Sequence, residues 1–275
     1  MIRFGVSGIP LSCKWRSLKE GVTFVKQLGL DAMEVRMFKD LGLDEEELRE
    51  VGEAAKFHGI RLSVHAPSYV DLSTDERDGS IEKVKSCGLA AQNLGADVVV
   101  VHPGFYYDGV DMNAVIGAMG EIGDFFSENG IKAKVGVETM GKKKSIGSPE
   151  EVIEICKNVK NAIPVIDFAH IHARFDGGLK TKDDFENIFK AVNPLRLKEY
   201  YIHFSGVYFD ENGERYHLPI KRDMPKFEHL ASALLDRKKD ARIICESPVL
   251  EHDAHYMMII LDRVKEKKMA KERSG

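Results

Sequence analysis

Short apolar, β-branched runs alternate with longer amphipathic, charged runs from one end of the chain to the other, and this alternation limits the fold more than any other feature. A run of roughly four to eight apolar residues between turn signals reads as a strand buried on both faces, and strands joined through helices lie parallel in one sheet. Predicted strands begin at Ile2 (IRFGVSG), Ala32 (AMEVR), Arg61 (RLSVHAP), Ala96 (ADVVVVHP), Lys134 (KVGVETM), Ile163 (IPVIDFAH), Tyr200 (YYIHFSG) and Ala241 (ARIICESP). Between them lie the helical patterns SLKEGVTFVKQLG, DEEELREVGEAAKFHG and SIEKVKSCGLAAQNLG, each closing on a glycine suited to a left-handed C-cap. NAVIGAMGEIGDFFSENG, SPEEVIEICKNVKN, DDFENIFKAV, KFEHLASALLDRK and AHYMMIILDRVKEKK continue the series.

About eight such units in 275 residues repeat at roughly 34 residues each, and the length lies close to the roughly 250 residues of a (β/α)8 barrel. The expected fold is therefore α/β, a single TIM barrel over residues 1–275 with its active site at the C-terminal ends of the strands. An open doubly wound sheet is the alternative, but no GxGxxG follows the first strand, so no nucleotide cofactor is expected. No Pro/Ser/Gly-rich linker divides the chain, so no internal domain boundary is drawn. The charge run KEKKMAKERSG, from about residue 265 to 275, reads as a frayed, solvated helix end.

The formal net charge of -4 supplies no general basic field to gather nucleic acid, so any phosphate binding must rest on a local patch or on bound cations. Cys13, Cys87, Cys156 and Cys245 lie far apart and form no CxxC pair, which reads as structural thiols in a reducing cytoplasm. MIRFGVSGIP has no signal-peptide stretch and no segment approaches the roughly 20 apolar residues of a membrane span. A cytoplasmic monomer with no membrane partner is the expectation.

The chemistry lies in where the polar residues fall. Strand after strand ends its apolar run on a metal-capable side chain: His65, His102, Glu138, Asp167 with His170 three residues on, His203 and Glu246. In a barrel these ends converge on one mouth. Imidazoles with carboxylates suit zinc, manganese or iron, and the absence of thiolates argues against a structural zinc site. Carboxylates crowded together repel unless cations join them, so a multinuclear metal site is inferred.

These residues resemble endonuclease IV, the metal-dependent apurinic/apyrimidinic endonuclease family within the wider xylose-isomerase-like barrel group. The resemblance runs through VHAP at Val64 to Pro67, VHPG at Val101 to Gly104, VET at Val137 to Thr139, DFAH at Asp167 to His170, IHFSG at Ile202 to Gly206, YHLP at Tyr216 to Pro219 and ESP at Glu246 to Pro248. It implies that His65 and His102 hold one metal, that Asp167, His203 and Glu246 hold a second, and that Glu138 bridges the two as the catalytic carboxylate. His170 and His217 would belong to a third metal. The implied cofactors are two or three Zn2+ ions, with Mn2+ as the alternative. The implied reaction is hydrolysis of DNA 5′ to an abasic site, a lesion whose flexibility allows it to be extruded into a pocket, by metal-activated hydroxide.

Several positions depart from the family pattern. Arg215 stands where an Asp should precede His217 by two residues, and Glu214 falls one position too early, which leaves the third metal open. Ser68 replaces a DNA-contacting tyrosine, with Tyr69 following, and Phe204, Ser205 and Gly206 replace the usual Asn-Asp pair after His203. Candidate substrate contacts are Tyr69, Lys142 beside Lys143 and Lys144 in the GKKKSIG loop, His172, Arg174 and Arg215, with Arg36 and Lys39 after strand two. His58, His229, His252 and His255 lie off the mouth, while Trp15 either lines it or packs on a loop. A second reading is a single-metal sugar isomerase or epimerase built on Glu138, Asp167, His203 and Glu246, in which the two glutamates shuttle a proton beside a carbonyl. A third is a nucleic-acid- or sugar-binding barrel that has lost catalysis.

Overall fold

The apolar runs form strands where expected. A computed structural model describes residues 1–14, 17–37, 44–222 and 224–274; Trp15 and Lys39 lie outside them. The barrel strands are β1 (Ile2–Ser7), β2 (Ala32–Arg36), β3 (Arg61–His65), β4 (Val98–Val101), β5 (Lys134–Glu138), β6 (Ala162–Asp167), β7 (Glu199–Phe204) and β8 (Asp240–Cys245). Each pairs in parallel with its sequence neighbours, and β1 closes the ring by pairing with β8 from Ile2↔Ala241 to Val6↔Cys245. This is a single closed (β/α)8 barrel.

Alternation within each strand separates two environments. Ala32, Val98, Val100, Val165, Tyr201 and Ile244 pack together inside the barrel. Their neighbours Val35, Leu62, Val99, Val135, Ile166, Ile202 and Ile243 turn outward into the large core shared with the helices.

The helices are α1 (Leu18–Gln27), α2 (Glu45–His58), α3 (Asp78–Leu94), α4 (Met112–Glu128), α5 (Pro149–Asn158), α6 (Phe168–Arg174), α7 (Lys182–Val192), α8 (Phe227–Arg237) and α9 (Glu251–Ser274). Local chemistry sets their ends. Asp44 with Glu47 and Ser148 with Glu151 form capping boxes, and Gly59 and Gly95 close α2 and α3 in the left-handed conformation. The charged stretch from about residue 265 is a largely exposed helix end that continues α9 to Ser274, its Lys, Glu, Met, Ala and Arg residues all being good helix formers. None of the described helices is long and apolar enough to cross a membrane. All four cysteines are buried, and none of them forms a disulfide.

The N-terminal end of the barrel is closed by ion pairs between side chains. The buried Arg242 donates to Asp97 Oδ1 and Oδ2 at 2.7 Å each and lies 4.9 Å over the Tyr201 ring, while Arg61 reaches Glu199 Oε2 at 2.7 Å. With that end plugged, the open end is the C-terminal mouth.

Three features at the mouth lie beyond the regular strand–helix alternation. Gly104–Phe105 pairs with Ser145–Ile146, tying the loop after β4 to the loop after β5. β6 stops at Asp167, whose carboxylate caps α6 by accepting from the His170 backbone N–H at 2.7 Å, so His170 stands on a helix although the predicted strand run extends to it. After β7 the chain forms an antiparallel ribbon, Gly206–Asp210 with Gly213–Leu218. This ribbon packs on α6 through Val207 and Phe209 against Ala169 and Ala173.

Candidate metal centre

Every residue predicted to bind metal faces one cluster at the mouth. Glu138, the last residue of β5, is fully buried at its centre, and its two oxygens face different groups. Oε2 lies 3.1 Å from His65 Nε2 and 2.9 Å from His102 Nε2, whereas Oε1 lies 3.0 Å from His203 Nδ1 and 3.5 Å from His170 Nδ1. Glu246, just past β8, sits 3.7 Å from His203 Nδ1 and 3.9 Å from His217 Nδ1. His170 Nε2 and His217 Nε2 are 3.3 Å apart.

The potential ligand atoms form four overlapping sets: His65, His102 and Glu138; Glu138, Asp167, His203 and Glu246; Asp167, His170 and His217; and Glu34, His65, His203 and Glu246. Within each set the atoms lie within 4.8 Å of one another. The mouth above them is a cavity of about 250 Å³ whose wall includes Arg36, Ser68, Phe105, Met140 and Lys142.

The donors fit divalent cations. His65, His170 and His217 each direct Nδ1–H to a backbone carbonyl, of Ala66 at 2.7 Å, Thr139 at 2.9 Å and Glu246 at 3.1 Å, which leaves the Nε2 lone pair facing the cluster. Asp167 Oδ2 is buried and has no hydrogen-bond partner within the protein, an orphan that a cation would satisfy. Electrostatics point the same way. Burial pushes the Glu138 carboxyl up, but the His203 and His102 charges outweigh it and hold the group well below the usual carboxylate value. Glu246 is held at about 2, burial again being overcome by His203 and His217. Burial lowers His170, yet Asp167 and Glu214 lift it to about 10. Protons on imidazoles thus balance the carboxylates when no cation does, so cation binding must displace protons.

Glu214 belongs to this cluster despite its spacing. Its Oε2 lies 3.3 Å from His170 Nε2 and its Oε1 3.6 Å from His217 Nε2. The ribbon pairs Tyr208 with Tyr216 but Phe209 with Glu214, so Arg215 is the extra residue of a β-bulge. The bulge restores Glu214 to the inner face, where an acid two positions before His217 would otherwise stand. Arg215 itself points outward, more than half exposed, to Asp210 at 3.4 Å.

Glu34 on β2 is the other acid not foreseen. It is fully buried, with Oε2 3.2 Å from His203 Nε2 and 2.7 Å from the Tyr201 hydroxyl. A carboxylate inside an otherwise apolar strand that must be buried on both faces was the available signal.

The candidate substrate contacts separate. Lys142 and Arg36 line the mouth cavity, and Tyr69 stands exposed on the rim after β3. Lys143 pairs with Asp176 at 2.8 Å. Arg174 is committed to the backbone: its guanidinium donates to the carbonyls of Lys142 and Ser145 at 2.9 Å each, pinning the loop after β5. His172 is buried against Phe209 and accepts from the Leu179 N–H at 3.3 Å, also outside the cluster. Both therefore serve the packing around the site, contrary to the sequence expectation of substrate contact. Off the mouth, as expected, His58 lies 3.5 Å from the Thr23 hydroxyl and His255 donates to the Leu28 carbonyl at 2.6 Å.

A family model described as "Xylose isomerase-like TIM barrel" matches residues 22–266. The chain belongs to the xylose isomerase-like TIM barrel family. Over 271 residues it is 31% identical to "Uncharacterized protein MJ0133" of Methanocaldococcus jannaschii, a match covering 94% of this chain and 96% of that one. Among solved structures of the same fold, a D-tagatose 3-epimerase-like protein superposes with a TM-score of 0.75 at 20% identity, covering 99% of this chain and 100% of the other. Endonuclease IV from Thermus thermophilus superposes with a TM-score of 0.72 at 18% identity, covering 96% and 99%. At such identities the likeness shows the fold alone, and one xylose isomerase-like barrel hosts unrelated chemistries. The side chains at the mouth must decide the function.

Proposed function

We propose that this xylose isomerase-like barrel is a metal-dependent phosphodiester hydrolase that cleaves DNA 5′ to abasic sites, holding Zn2+ or, alternatively, Mn2+. One observation carries the reading: beside the set Glu138, Asp167, His203 and Glu246, which would suffice for one cation, the mouth holds His65 with His102 and, separately, His170 with His217 and Glu214. A one-metal sugar enzyme has no need of those imidazoles as ligands.

His65 and His102 with Glu138 would hold one cation, and Asp167, His203 and Glu246 with Glu138 a second. Asp167, His170 and His217, beside Glu214, would hold a third. Bound there, the cations supply an acidified water near neutral pH and neutralise charge on the attacking and leaving oxygens of a phosphodiester. Glu138 keeps its two oxygens on different donor sets, which fixes the spacing between them. Arg36 and Lys142 in the cavity wall supply positive charge toward a phosphate, and Tyr69 on the rim offers a ring toward an unstacked neighbouring base. With a net charge of -4, attraction for DNA depends on these side chains and the cations together.

The test is incubation of zinc-supplemented protein with a duplex oligonucleotide carrying one abasic site, beside a chelated control and an intact duplex. Metal-dependent nicking only 5′ to the lesion, leaving a 3′-hydroxyl, is expected; its absence under both zinc and manganese would overturn the proposal. A ketose epimerase is the second reading, favoured by the convergence of Glu138, Asp167, His203 and Glu246 on one point. It predicts solvent-deuterium exchange into free ketoses that survives His65→Ala and His102→Ala.

A further inference from the structure

Glu34 lies on β2, across the barrel from the strands that supply most of the ligands. Its backbone neighbours at the same level are Ser7 on β1 and Ser63 on β3, and these small side chains leave room for the glutamate to reach over the barrel axis. Its Oε2 accepts from the Tyr201 hydroxyl at 2.7 Å and the Ser63 hydroxyl at 3.2 Å; Ser7 Oγ lies 3.5 Å from its Oε1. The carboxylate is thus anchored before it meets His203.

The His203 ring is fully buried and oriented differently from its neighbours. His65, His170 and His217 give Nδ1–H to backbone carbonyls and turn Nε2 toward the cluster. His203 turns Nδ1 toward Glu138 and Glu246, and its Nε2 meets Glu34 Oε2 at 3.2 Å. A ring can offer an Nδ1 lone pair to a cation only if the proton sits on Nε2, and that proton needs an acceptor.

We infer that Glu34 is a positioning residue of the metal centre, accepting the Nε2–H of His203 and so making Nδ1 the nitrogen this ring offers to the cation it shares with Asp167 and Glu246. The inference rests on the metal-centre reading above, but on none of its substrate chemistry. Tyr201 and Ser63 extend the arrangement one step further by holding Glu34 in place.

The experiment is a long-range 1H–15N correlation of the zinc-loaded, 15N-histidine-labelled protein, with zinc affinities measured by chelator competition on the unmodified protein, Glu34→Ala and Glu34→Gln. The His203 ring proton is expected on Nε2. Glu34→Ala should weaken one class of zinc site by about 10–100-fold while leaving the His65–His102 site within about twofold. Glu34→Gln, which keeps an acceptor oxygen, should recover most of that loss. A His203 proton on Nδ1 would overturn the inference, because Nε2 and Glu34 would then both face the metal as ligands. So would unchanged zinc affinities in a folded Glu34→Ala protein. Failure of the unmodified protein to take up zinc or manganese is a separate result, which overturns the metal-centre reading and this inference with it. The proton position is read on the unmodified protein and so does not depend on either variant folding.

Discussion

His65, His102, Asp167, His203 and Glu246 were legible as a site because each sits where an apolar run ends, and barrel topology brings strand ends to one mouth. Glu34 and Glu214 were not. Glu34 lies inside a run that reads as ordinary buried strand, and Glu214 is one residue out of step with His217 until the bulge at Arg215 is seen. That difference can be tested with single substitutions. Glu214→Gln removes a carboxylate beside His170 and His217, and is expected to weaken zinc at that set by about 10–100-fold in chelator competition. Arg215→Ala, on the outer face, should leave all zinc affinities within about twofold of the unmodified protein, within the usual range of surface substitutions. Equal loss in the two variants would show that Glu214 has no special place in the centre.

The ribbon after β7 and the loop after β5 act as one structural unit. Lys142 and Gly213 form a β-bridge, and Gly141 is pressed so close that an added Cβ would stand 2.6 Å from the Glu214 Cβ and 3.0 Å from the His170 Cα. Gly141→Ala is therefore expected to destabilise the fold by about 1–3 kcal/mol in denaturant melts, the usual scale of overpacking. A loss well below that would mean the loop moves aside freely. Deleting Arg215 should have the opposite outcome: without the extra residue the ribbon becomes regular, with Glu214 still on the inner face two positions before His217. Metal content by elemental analysis and the melting temperature should then stay close to those of the parent. Loss of a metal on deletion would show that the bulge does more than restore register.

For the whole molecule, the two ends of the barrel depend on different charges. At the N-terminal plug, burial pushes the Asp97 carboxyl up, but Arg242 and Arg61 outweigh it and hold its pKa below the usual 3.8. A carboxylate with a lowered folded pKa stabilises the fold fully above its unfolded value, and that contribution fades as pH falls through the folded one. Asp97→Asn should therefore lower the melting temperature by a constant amount from about pH 5 to 8, with the gap to the parent closing below about pH 4. A gap that persists at low pH would assign the loss to packing instead of charge. At the mouth, cations bound only by the folded chain would stabilise it by about 2.7 kcal/mol per site at a hundredfold excess over Kd, so chelation is expected to lower the melting temperature by about 5–10 °C for each site emptied.

By itself the sequence determined the strand–helix alternation, the closed parallel barrel it implies and the cluster of strand-end His, Asp and Glu residues, because these follow from local periodicity and from a topology with one geometric solution. Tertiary structure decided what depends on placement between distant segments. It brought Glu34 across the barrel to His203, let a bulge return Glu214 to the cluster, and committed Arg174 and His172 to hydrogen bonds with the backbone around the site. A side chain's partner across the fold is set by register, bulges and close backbone approach, and none of these leaves a periodic mark on the chain.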